Sequence, residues 1–350
     1  MRQNLIIPTS PFNMFWDLGW DKLRGGPAVV NVSVVIPAYN AGRFLADAIA
    51  SAINHLGCPL SSILVVDDGS SDDSFEIARR LGVRSVRHPS NRGVASALNT
   101  GIALADTEYV AWLSADDLYA PGSGIAIERA MTHNAGADLY FGQSRKISFD
   151  GKILGDLIPS MGLDDSWNRG GLLEVDYFID LVFGCFINGS TTIMRRERIL
   201  ELGLFDTKWN YVQDYAMWLL MSYHRSTAVF VKEVIGFRRL HEGQLGRGRI
   251  RRREARLELR ELLRSFTEQP DFLPRLRDRL SSLKNAPECR RLLMKQCLSC
   301  GVTNTALGLI CPRSSFSPII GKVLELLSLL FALKHYVIDD RKEERIQSDS

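Results

Sequence analysis

The sequence predicts an α/β fold, in which a mainly parallel sheet carries helices on both faces and a helical region follows at the C-terminus. Short, continuously apolar runs alternate with amphipathic segments of about a dozen residues, as in sheets built from parallel strands. Each apolar run ends in a polar or turn-forming cluster. From residue 250 to residue 340 the pattern is helical. Together these three observations indicate the fold class.

The apolar spacing predicts five strands and the helices between them. The predicted strands cover residues 32–36, 63–66, 83–87, 109–113 and 137–141. Asn40 is placed to cap the first predicted helix, and Ser71 or Asp72 to cap the second. Two further helices are predicted over residues 94–105 and 121–134. Residues 211–223 are apolar nearly all round, which predicts a buried helix with Asp214 near its start.

Composition and charge narrow the class of protein. Of the 350 residues, 45% are apolar and 24% are charged, as in ordinary globular proteins. A net charge of +3 gives no support to a nucleic-acid binder, so no nucleic acid is expected as a partner. The pattern divides the chain into an N-terminal extension (1–30), an α/β domain (31–245) and a helical C-terminal region (246–350).

The two ends of the chain bear on where the protein works. Pro8 and Pro11 interrupt the N-terminus where a secretory signal would need a continuous apolar run, and the six cysteines are sparse. A cytoplasmic location is therefore expected. The apolar run 323–333 is shorter than the roughly 20 residues that a membrane-spanning helix needs.

Two interpretations of the helical C-terminal region stay open. Eight arginines lie between residues 247 and 264. One interpretation is peripheral contact with the anionic inner face of the cell membrane. The other is a solvated helix face, or a surface through which copies of the chain join in a homo-oligomer.

Polar clusters follow three successive predicted strands. Asp67–Ser70 follows the second strand, Asn91–Gly93 the third and Ser114–Asp117 the fourth. Ligands of parallel sheets bind at the carboxyl ends of strands, so these clusters should meet at one edge. Asp116 and Asp117 repel each other, and a divalent cation such as Mg²⁺, held together with substrate phosphates, would resolve that repulsion. The alternative is a helix cap, which would account for only one of the two acids.

Four motifs together resemble the family 2 glycosyltransferases of the GT-A fold. They are Pro37-Ala38-Tyr39-Asn40, Val66-Asp67-Asp68-Gly69-Ser70-Ser71-Asp72, Asn91-Arg92-Gly93 and Ser114-Ala115-Asp116-Asp117. The resemblance covers about residues 31 to 245. It implies inverting transfer of a sugar from a nucleotide-diphosphate sugar, with a UDP-sugar favoured, to a hydroxyl of a glycan or lipid-linked acceptor. The expected setting is the synthesis of cell-surface polysaccharide.

The resemblance also implies roles for single residues. The residues that it implies for nucleotide-sugar binding are Pro37, Ala38, Tyr39, Asp68 (on the base), Arg92, Ser114 and Asp117. The implied ligands of a divalent metal, Mg²⁺ or Mn²⁺, are Asp116, Asp117 and His241. The pair Gln213-Asp214 resembles the family's acidic pair, which makes Asp214 the implied catalytic base for the acceptor hydroxyl.

Two further segments resemble parts of the family's site. The segment Arg238–His241 resembles an element that lies on the diphosphate. The segment Asn188–Thr192, followed by Arg195 and Arg196, resembles the wall of the acceptor pocket, although a turn and a strand would explain it equally well.

The sequence departs from the family at Ser114, where the family motif usually begins with Asp. A serine hydroxyl can bind ribose but adds no charge, so metal binding should be weaker or depend on the nucleotide. A non-catalytic nucleotide-sugar-binding or scaffold protein with a degraded metal site is therefore the alternative, and Asp116, Asp117 and Asp214 count against it. Nucleotidyl transfer is disfavoured, because it calls for a Gly-rich, Lys-bearing loop where this chain has Pro37–Asn40.

Overall fold

The computed structural model describes residues 31–157, 171–173, 177–183, 185–244 and 249–281. These residues divide into two compact units, of which the first holds 31–157, 171–173 and 185–244 and the second holds 177–183 and 249–281. The predicted N-terminal extension and the apolar run 323–333 lie outside the described residues. The three-part division of the chain therefore stays a prediction.

Strands and helices alternate in the first unit, and the second unit is helical. The strands are β1 Val32–Ala38, β2 Ile63–Asp67, β3 Arg84–Arg87, β4 Tyr109–Trp112, β5 Leu118–Tyr119, β6 Leu139–Ile147, β7 Ile153–Leu157, β8 Gly171–Leu172, β9 Thr192–Arg195 and β10 Ala228–Arg239. The helices of the first unit are α1 Gly42–Ser51, α2 Ser74–Arg80, α3 Val94–Leu104, α4 Ser123–His133, α6 Arg196–Glu201 and α7 Gln213–Tyr223. Those of the second unit are α5 Tyr177–Phe183, α8 Arg249–Thr267 and α9 Phe272–Ser281.

The strands form one sheet in the order β3-β2-β1-β4-β9-β6-β10-β5, with β7 beside β6 and β8 beside β10. The strands β1, β2, β3 and β4 pair in parallel. Strand β9 is antiparallel to both of its neighbours, β4 and β6, so β6 points the same way as β4, and β10 is parallel to β6. Six of the described strands therefore share one direction, which confirms the predicted mainly parallel sheet.

Both faces of the sheet are covered around β1. Residues Val32 to Ile36 are all buried, as expected for a strand with helices on each side. Val34 and Ile36 join Leu45 of α1 in the apolar core. On the opposite face Gly101 of α3 lies so close to Val35 that an added Cβ would stand 2.2 Å from its side chain. The predicted placement of helices on both faces is thereby confirmed.

The predicted cap at the start of α1 is wrong. Asn40 adopts a positive φ of 50°. Its Oδ1 accepts the N–H of Ser71, in the loop after β2, at 2.8 Å and not an N–H of α1. The first turn of α1 is instead closed from the neighbouring loop, where Asp72 Oδ2 accepts the Gly42 N–H at 2.9 Å. Asp72 Oδ1 also accepts the Ser74 N–H at 3.0 Å at the start of α2, although the residue before α2 is Asp73.

The sequence pattern misses several strands, and β10 is the longest of them. It pairs with β6 along its length, but the register shifts between Val231 and Val234. Lys232 and Glu233 are exposed at that shift, so they interrupt the apolar alternation that a strand prediction requires. The predicted helices 121–134 and 211–223 begin two residues later than expected, at Ser123 and Gln213.

The second unit has its own buried contacts. The ring of Phe178 lies 5.7 Å from that of Phe266 and 6.1 Å from that of Phe272. Asp180 and Arg279 form a buried ion pair at 3.1 Å. The helical pattern predicted after residue 250 is confirmed as far as residue 281. Within the described ranges no helix is both long and apolar enough to cross a membrane.

Candidate functional site

The carboxyl ends of the parallel strands bring the predicted polar clusters to one edge of the sheet. Ala38 at the end of β1 lies beside Asp67 at the end of β2, and Asp67 lies beside Arg87 at the end of β3. The loops after β4, β6 and β10 leave the same edge because these strands share the direction of β1. Strand β9 begins at this edge because it runs the opposite way.

Asp117 is buried at this edge and is held from two directions. Its Oδ2 accepts a hydrogen bond from Ser190 Oγ at 2.6 Å, and its Oδ1 accepts the Arg239 N–H at 3.0 Å. Burial, and then the neighbouring charge of Asp116, raise the pKa of Asp117 to about 7. The carboxylate is therefore fixed in position while its negative charge is poorly compensated.

Asp116 and His241 face each other beside Asp117. His241 Nε2 lies 2.9 Å from Asp116 Oδ2, and both side chains keep part of their surface exposed. The His241 ring also packs against Phe44 of α1, with ring centroids 4.8 Å apart. The structure thus brings together the three residues that the sequence implies as metal ligands, although they come from loops more than a hundred residues apart.

The side chains of Asp116 and His241 are of kinds that bind divalent cations, whereas both Asp117 oxygens already accept hydrogen bonds within the protein. Oxygen and imidazole ligands suit Mg²⁺ or Mn²⁺, and Mg²⁺ commonly takes one or two carboxylates plus substrate phosphates. In the described part of the chain no group of three histidine, cysteine, aspartate or glutamate side chains is arranged to hold a metal ion.

Ser114 occupies the position where the resembled motif usually has Asp. Its N–H donates to Ser190 Oγ at 3.1 Å, and its own Oγ lies 3.0 Å from the same atom. Ser190 thereby links Ser114 to Asp117. The sequence did not single out Ser190, and its place in the segment Asn188–Thr192 was the only signal for it.

The segment before β9 is the predicted turn and strand. A short 3₁₀ turn, Gly189–Thr191, runs directly into β9. A Cβ on Gly189 would stand 2.6 Å from the ring of Trp112, so only glycine lets this turn lie against β4. The close approach places Ser190 over the loop that carries Asp117.

Four of the residues that the resemblance assigns to nucleotide-sugar binding lie in or after β1 and after β3. Tyr39 is half exposed, Pro37 is partly buried, and Ala38 is buried at the end of β1. The side chain of Arg92 is exposed at the end of the loop after β3. All four flank the carboxyl ends of β1 to β3, and their roles toward the nucleotide stay predictions.

Asp68 is buried, and both of its oxygens are engaged within the protein. Oδ2 accepts the Gly93 N–H at 2.7 Å, and the Arg92 N–H lies 3.0 Å from each oxygen. His88 Nδ1 lies 2.7 Å from Oδ1. Asp68 therefore holds the loop that carries Arg92. The contact with a base implied by the resemblance stays a prediction.

Asp214 lies in the first turn of α7, as predicted. Its Oδ1 accepts the N–H of Tyr215 at 2.7 Å. Burial raises the pKa of Asp214, while the Tyr215 N–H and the positive charge of Arg238 lower it. Tyr215, Met217 and Trp218, which follow Asp214 in α7, are all buried.

The two arginines at the end of β10 have different places. Arg239 is fully buried, with Nε donating to the Asp116 carbonyl at 3.0 Å and a terminal nitrogen donating to the Phe149 carbonyl at 2.9 Å. Arg238 is partly exposed, and its charge lowers the pKa of both Asp117 and Asp214. Of the predicted element, Arg238 and His241 thus face the site, while Arg239 supports it from inside.

The residues at this edge of the sheet lie largely in a segment that matches a known protein family. Residues 33–196 match the model of glycosyl transferase family 2. The α/β domain belongs to glycosyl transferase family 2. The glycosyltransferase domain is 29% identical over 219 residues to an uncharacterized glycosyltransferase of Rickettsia typhi, a match that covers 61% of this chain and 65% of that protein. The chain thus spans slightly less than two thirds of the length of that relative.

A second relative has a named process. Over 102 residues the glycosyltransferase domain is 39% identical to the succinoglycan biosynthesis protein ExoU of Rhizobium meliloti, covering 27% of this chain and 29% of that protein.

Solved structures show the fold. Staphylococcus aureus TarS 1–349 in complex with UDP superposes with a TM-score of 0.53 at 12% identity, covering 85% of this chain and 89% of that one. The mannosyltransferase PcManGT of Pyrobaculum calidifontis, in complex with GDP-Man and Mn²⁺, gives a TM-score of 0.51 at 18% identity, covering 94% and 95%. The predicted GT-A-like fold of the glycosyltransferase domain is confirmed.

Proposed function

We propose that the protein is an inverting glycosyltransferase that moves a sugar from a nucleotide-diphosphate sugar to a hydroxyl of an acceptor. The observation that carries the proposal is the position of Arg238 between two groups of acids. Its charge acts on Asp117, which belongs to the acidic pair after β4, and on Asp214 at the start of α7. One edge of the sheet thus holds both an acidic pair suited to a metal diphosphate and a separate acid suited to an acceptor hydroxyl.

The proposed donor is a nucleotide-diphosphate sugar, with a UDP-sugar favoured. TarS has been crystallised with UDP and with UDP-GlcNAc, and its fold matches that of this chain. Pro37, Ala38 and Tyr39 would lie along the nucleotide. Arg92, with an exposed guanidinium, would bind the base or the diphosphate.

The diphosphate would lie against Asp116, Asp117 and His241 through a divalent cation, Mg²⁺ or Mn²⁺. Such a cation would supply positive charge to the departing diphosphate. PcManGT, whose fold matches, was crystallised with Mn²⁺. Arg238 contributes a further positive charge from the protein itself, and Ser190 keeps the Asp117 carboxylate oriented through the 2.6 Å hydrogen bond.

The proposed reaction needs a single protein base. The acceptor hydroxyl oxygen attacks the anomeric carbon as the bond from that carbon to the diphosphate oxygen breaks, and the nucleoside diphosphate leaves with the electron pair. The hydroxyl proton passes to the Asp214 carboxylate. One displacement inverts the anomeric configuration. The raised pKa of Asp214 makes it a stronger base than an exposed aspartate.

The proposed acceptor is a glycan or a lipid-linked sugar in cell-surface polysaccharide synthesis. The named role of ExoU in succinoglycan biosynthesis supports this class. A location at the inner face of the cell membrane would suit a lipid-linked acceptor, and the basic stretch 247–264 together with the apolar run 323–333 forms the proposed contact. Deleting residues 318–350 should then release the protein from anionic vesicles, whereas a change in oligomeric state alone would favour the homo-oligomer.

The proposed function is tested by incubating the protein with a panel of UDP-, GDP- and dTDP-sugars, with and without Mn²⁺. The measured quantities are the release of nucleotide and the transfer of the sugar to an acceptor. Asp214→Asn should bind nucleotide in calorimetry as wild type does, but should lose transfer. Asp206→Asn is the matched control, because Asp206 is exposed in the loop before α7. It should leave transfer intact.

Each outcome of this test has a defined meaning. Transfer by Asp214→Asn at the wild-type rate would show that the base is another residue. Nucleotide binding without transfer to any acceptor would favour the non-catalytic alternative. If no nucleotide binds to wild type, the enzyme proposal is wrong.

A further inference from the structure

A buried histidine stands directly behind the loop that carries Arg92. His88 follows β3 and only 6% of its surface is exposed. Its Nδ1 lies 2.7 Å from Asp68 Oδ1, and its Nε2 lies 2.9 Å from Thr100 Oγ1 on α3. Both ring nitrogens are therefore engaged, and the ring is held between the loop after β2 and a helix.

The chemistry of the two partners orients the ring. The Asp68 carboxylate can only accept, so Nδ1 carries a proton and donates to it. Nε2 faces Thr100 Oγ1, whose single proton can go to Nε2 or to the Ser96 carbonyl 3.1 Å away. The ring is thereby placed so that it always presents a donor to Asp68.

Asp68 also binds backbone groups of the loop that carries Arg92. Its remaining acceptor capacity takes the N–H groups of Arg92 and Gly93, at 3.0 Å and 2.7 Å. Gly93 has a φ of 89°, which glycine adopts without strain, and its N–H also lies 3.1 Å from Asn91 Oδ1. On the other side of the loop, the Ser90 backbone would stand 2.6 Å from a Cβ on Gly69, so the loop is also packed tightly from below.

We propose that His88 is a positioning residue for donor binding, which acts through Asp68 on the loop that presents Arg92 to the nucleotide. The inference rests on the proposed function only in taking the ligand of that loop to be a nucleoside diphosphate. His88 touches no substrate itself. Its loss leaves Asp68 with one donor fewer and free to rotate, so the N–H groups of Arg92 and Gly93 lose a fixed acceptor.

Three variants separate the two contacts of the ring. His88→Phe keeps the ring shape and removes both hydrogen bonds. His88→Asn keeps an N–H at about the position of Nδ1 and removes the bond to Thr100. Thr100→Val leaves the bond from the ring to Asp68 in place and removes the contact with Nε2, together with the bond from Thr100 to the Ser96 carbonyl. His133→Phe is the matched control, because His133 is exposed on α4 and its Nδ1 faces the carbonyl of Arg129 on the same helix.

The first measurement is the affinity for UDP in the presence of Mn²⁺, by calorimetry. His88→Phe should weaken UDP binding at least about tenfold, the factor that corresponds to one lost charge-assisted hydrogen bond. His88→Asn should recover most of that loss, and Thr100→Val should fall between His88→Asn and wild type. In the transfer assay the donor KM should rise while kcat changes little, which a general loss of folded protein would not produce.

The second measurement does not depend on the ligand. Amide hydrogen exchange at residues 91–93 should accelerate in His88→Phe and stay slow in His133→Phe. If wild type binds no nucleotide, the proposed function fails while this exchange measurement still tests the link from His88 to the loop. If His88→Phe does not fold, His88→Asn and Thr100→Val still carry the test. UDP affinity and exchange at residues 91–93 that match wild type in folded variants would overturn the inference.

Discussion

Arg239 supports the acidic pair from inside the domain, and Arg239→Met should destabilise the protein strongly. The guanidinium is fully buried and donates to the carbonyls of Asp116 and Phe149 at 3.0 Å and 2.9 Å. Methionine fills a similar volume, but it leaves both carbonyls without these donors. The loops after β4 and β6 then lose their common anchor.

The magnitude follows from the two hydrogen bonds. Hydrogen bonds that involve a charged group are worth about 1.5–3 kcal/mol each, which gives about 3–6 kcal/mol for two. Burial lowers the pKa of Arg239, a sign that the buried charge itself carries a desolvation cost, and Met removes that cost. We therefore expect the lower end, about 3 kcal/mol. At about 2–4 °C per kcal/mol for a domain of this size, Tm should fall by about 6–12 °C.

Arg129→Met is the matched control. Its guanidinium lies 3.3 Å from Glu233, but the two side chains are 58% and 47% exposed. Exposed pairs contribute about 0–1 kcal/mol, so Tm should change by less than about 4 °C. Thermal and urea unfolding, each followed by circular dichroism, measure both variants. Equal shifts in Tm for Arg239→Met and Arg129→Met would refute the reasoning about burial.

Two further predictions concern activity. Ser190→Ala removes the 2.6 Å hydrogen bond to Asp117, so kcat/KM should fall about tenfold, the equivalent of one hydrogen bond to a charged group. Ser190→Thr should recover part of that loss. A kcat/KM of Ser190→Ala that equals the wild-type value in steady-state kinetics would contradict the role of this bond. Asp214 must be ionised to accept a proton, and burial raises its pKa above the ordinary 3.8, so activity should fall as pH drops through that raised pKa. Because the charge of Arg238 lowers this pKa, Arg238→Gln should move the acid limb of the pH–rate profile to higher pH. Lys208→Gln, at an exposed position, should leave the acid limb where it is. Identical acid limbs in the two variants would rule out the proposed influence of Arg238.

The first four strands could be predicted from the sequence because the environment of a strand determines which residue types occur along that same short segment. A strand covered on both faces is apolar at most positions, and β1, β2 and β4 are apolar apart from Ser33 and Asp67. The polar residues that follow such runs must then lie at the carboxyl edge. That argument placed Asp68, Arg92 and Asp116 before any coordinates were known.

The inner support of the site could not be predicted in the same way. Ser190 meets Asp117 across 73 residues of sequence, and Arg239 meets it across 122. A serine after a glycine and an arginine in a basic run have no local pattern that distinguishes a buried partner from a solvated side chain. The cap at Asn40 was wrong for the same reason, because its true partner, Ser71, belongs to another loop.

The sequence by itself determined the fold class, the edge at which the site lies and the acids that give it its charge. These depend on the period of apolar residues and on the direction of parallel strands, both of which are local properties of the chain. Only the tertiary structure decided that His88 contacts Asp68 behind the loop that carries Arg92, that Arg239 is buried while Arg238 is partly exposed, and that Ser190 donates to Asp117. These depend on which side chain of a distant element fills the space beside a buried carboxylate, and burial of a charge is a property of the packed molecule alone.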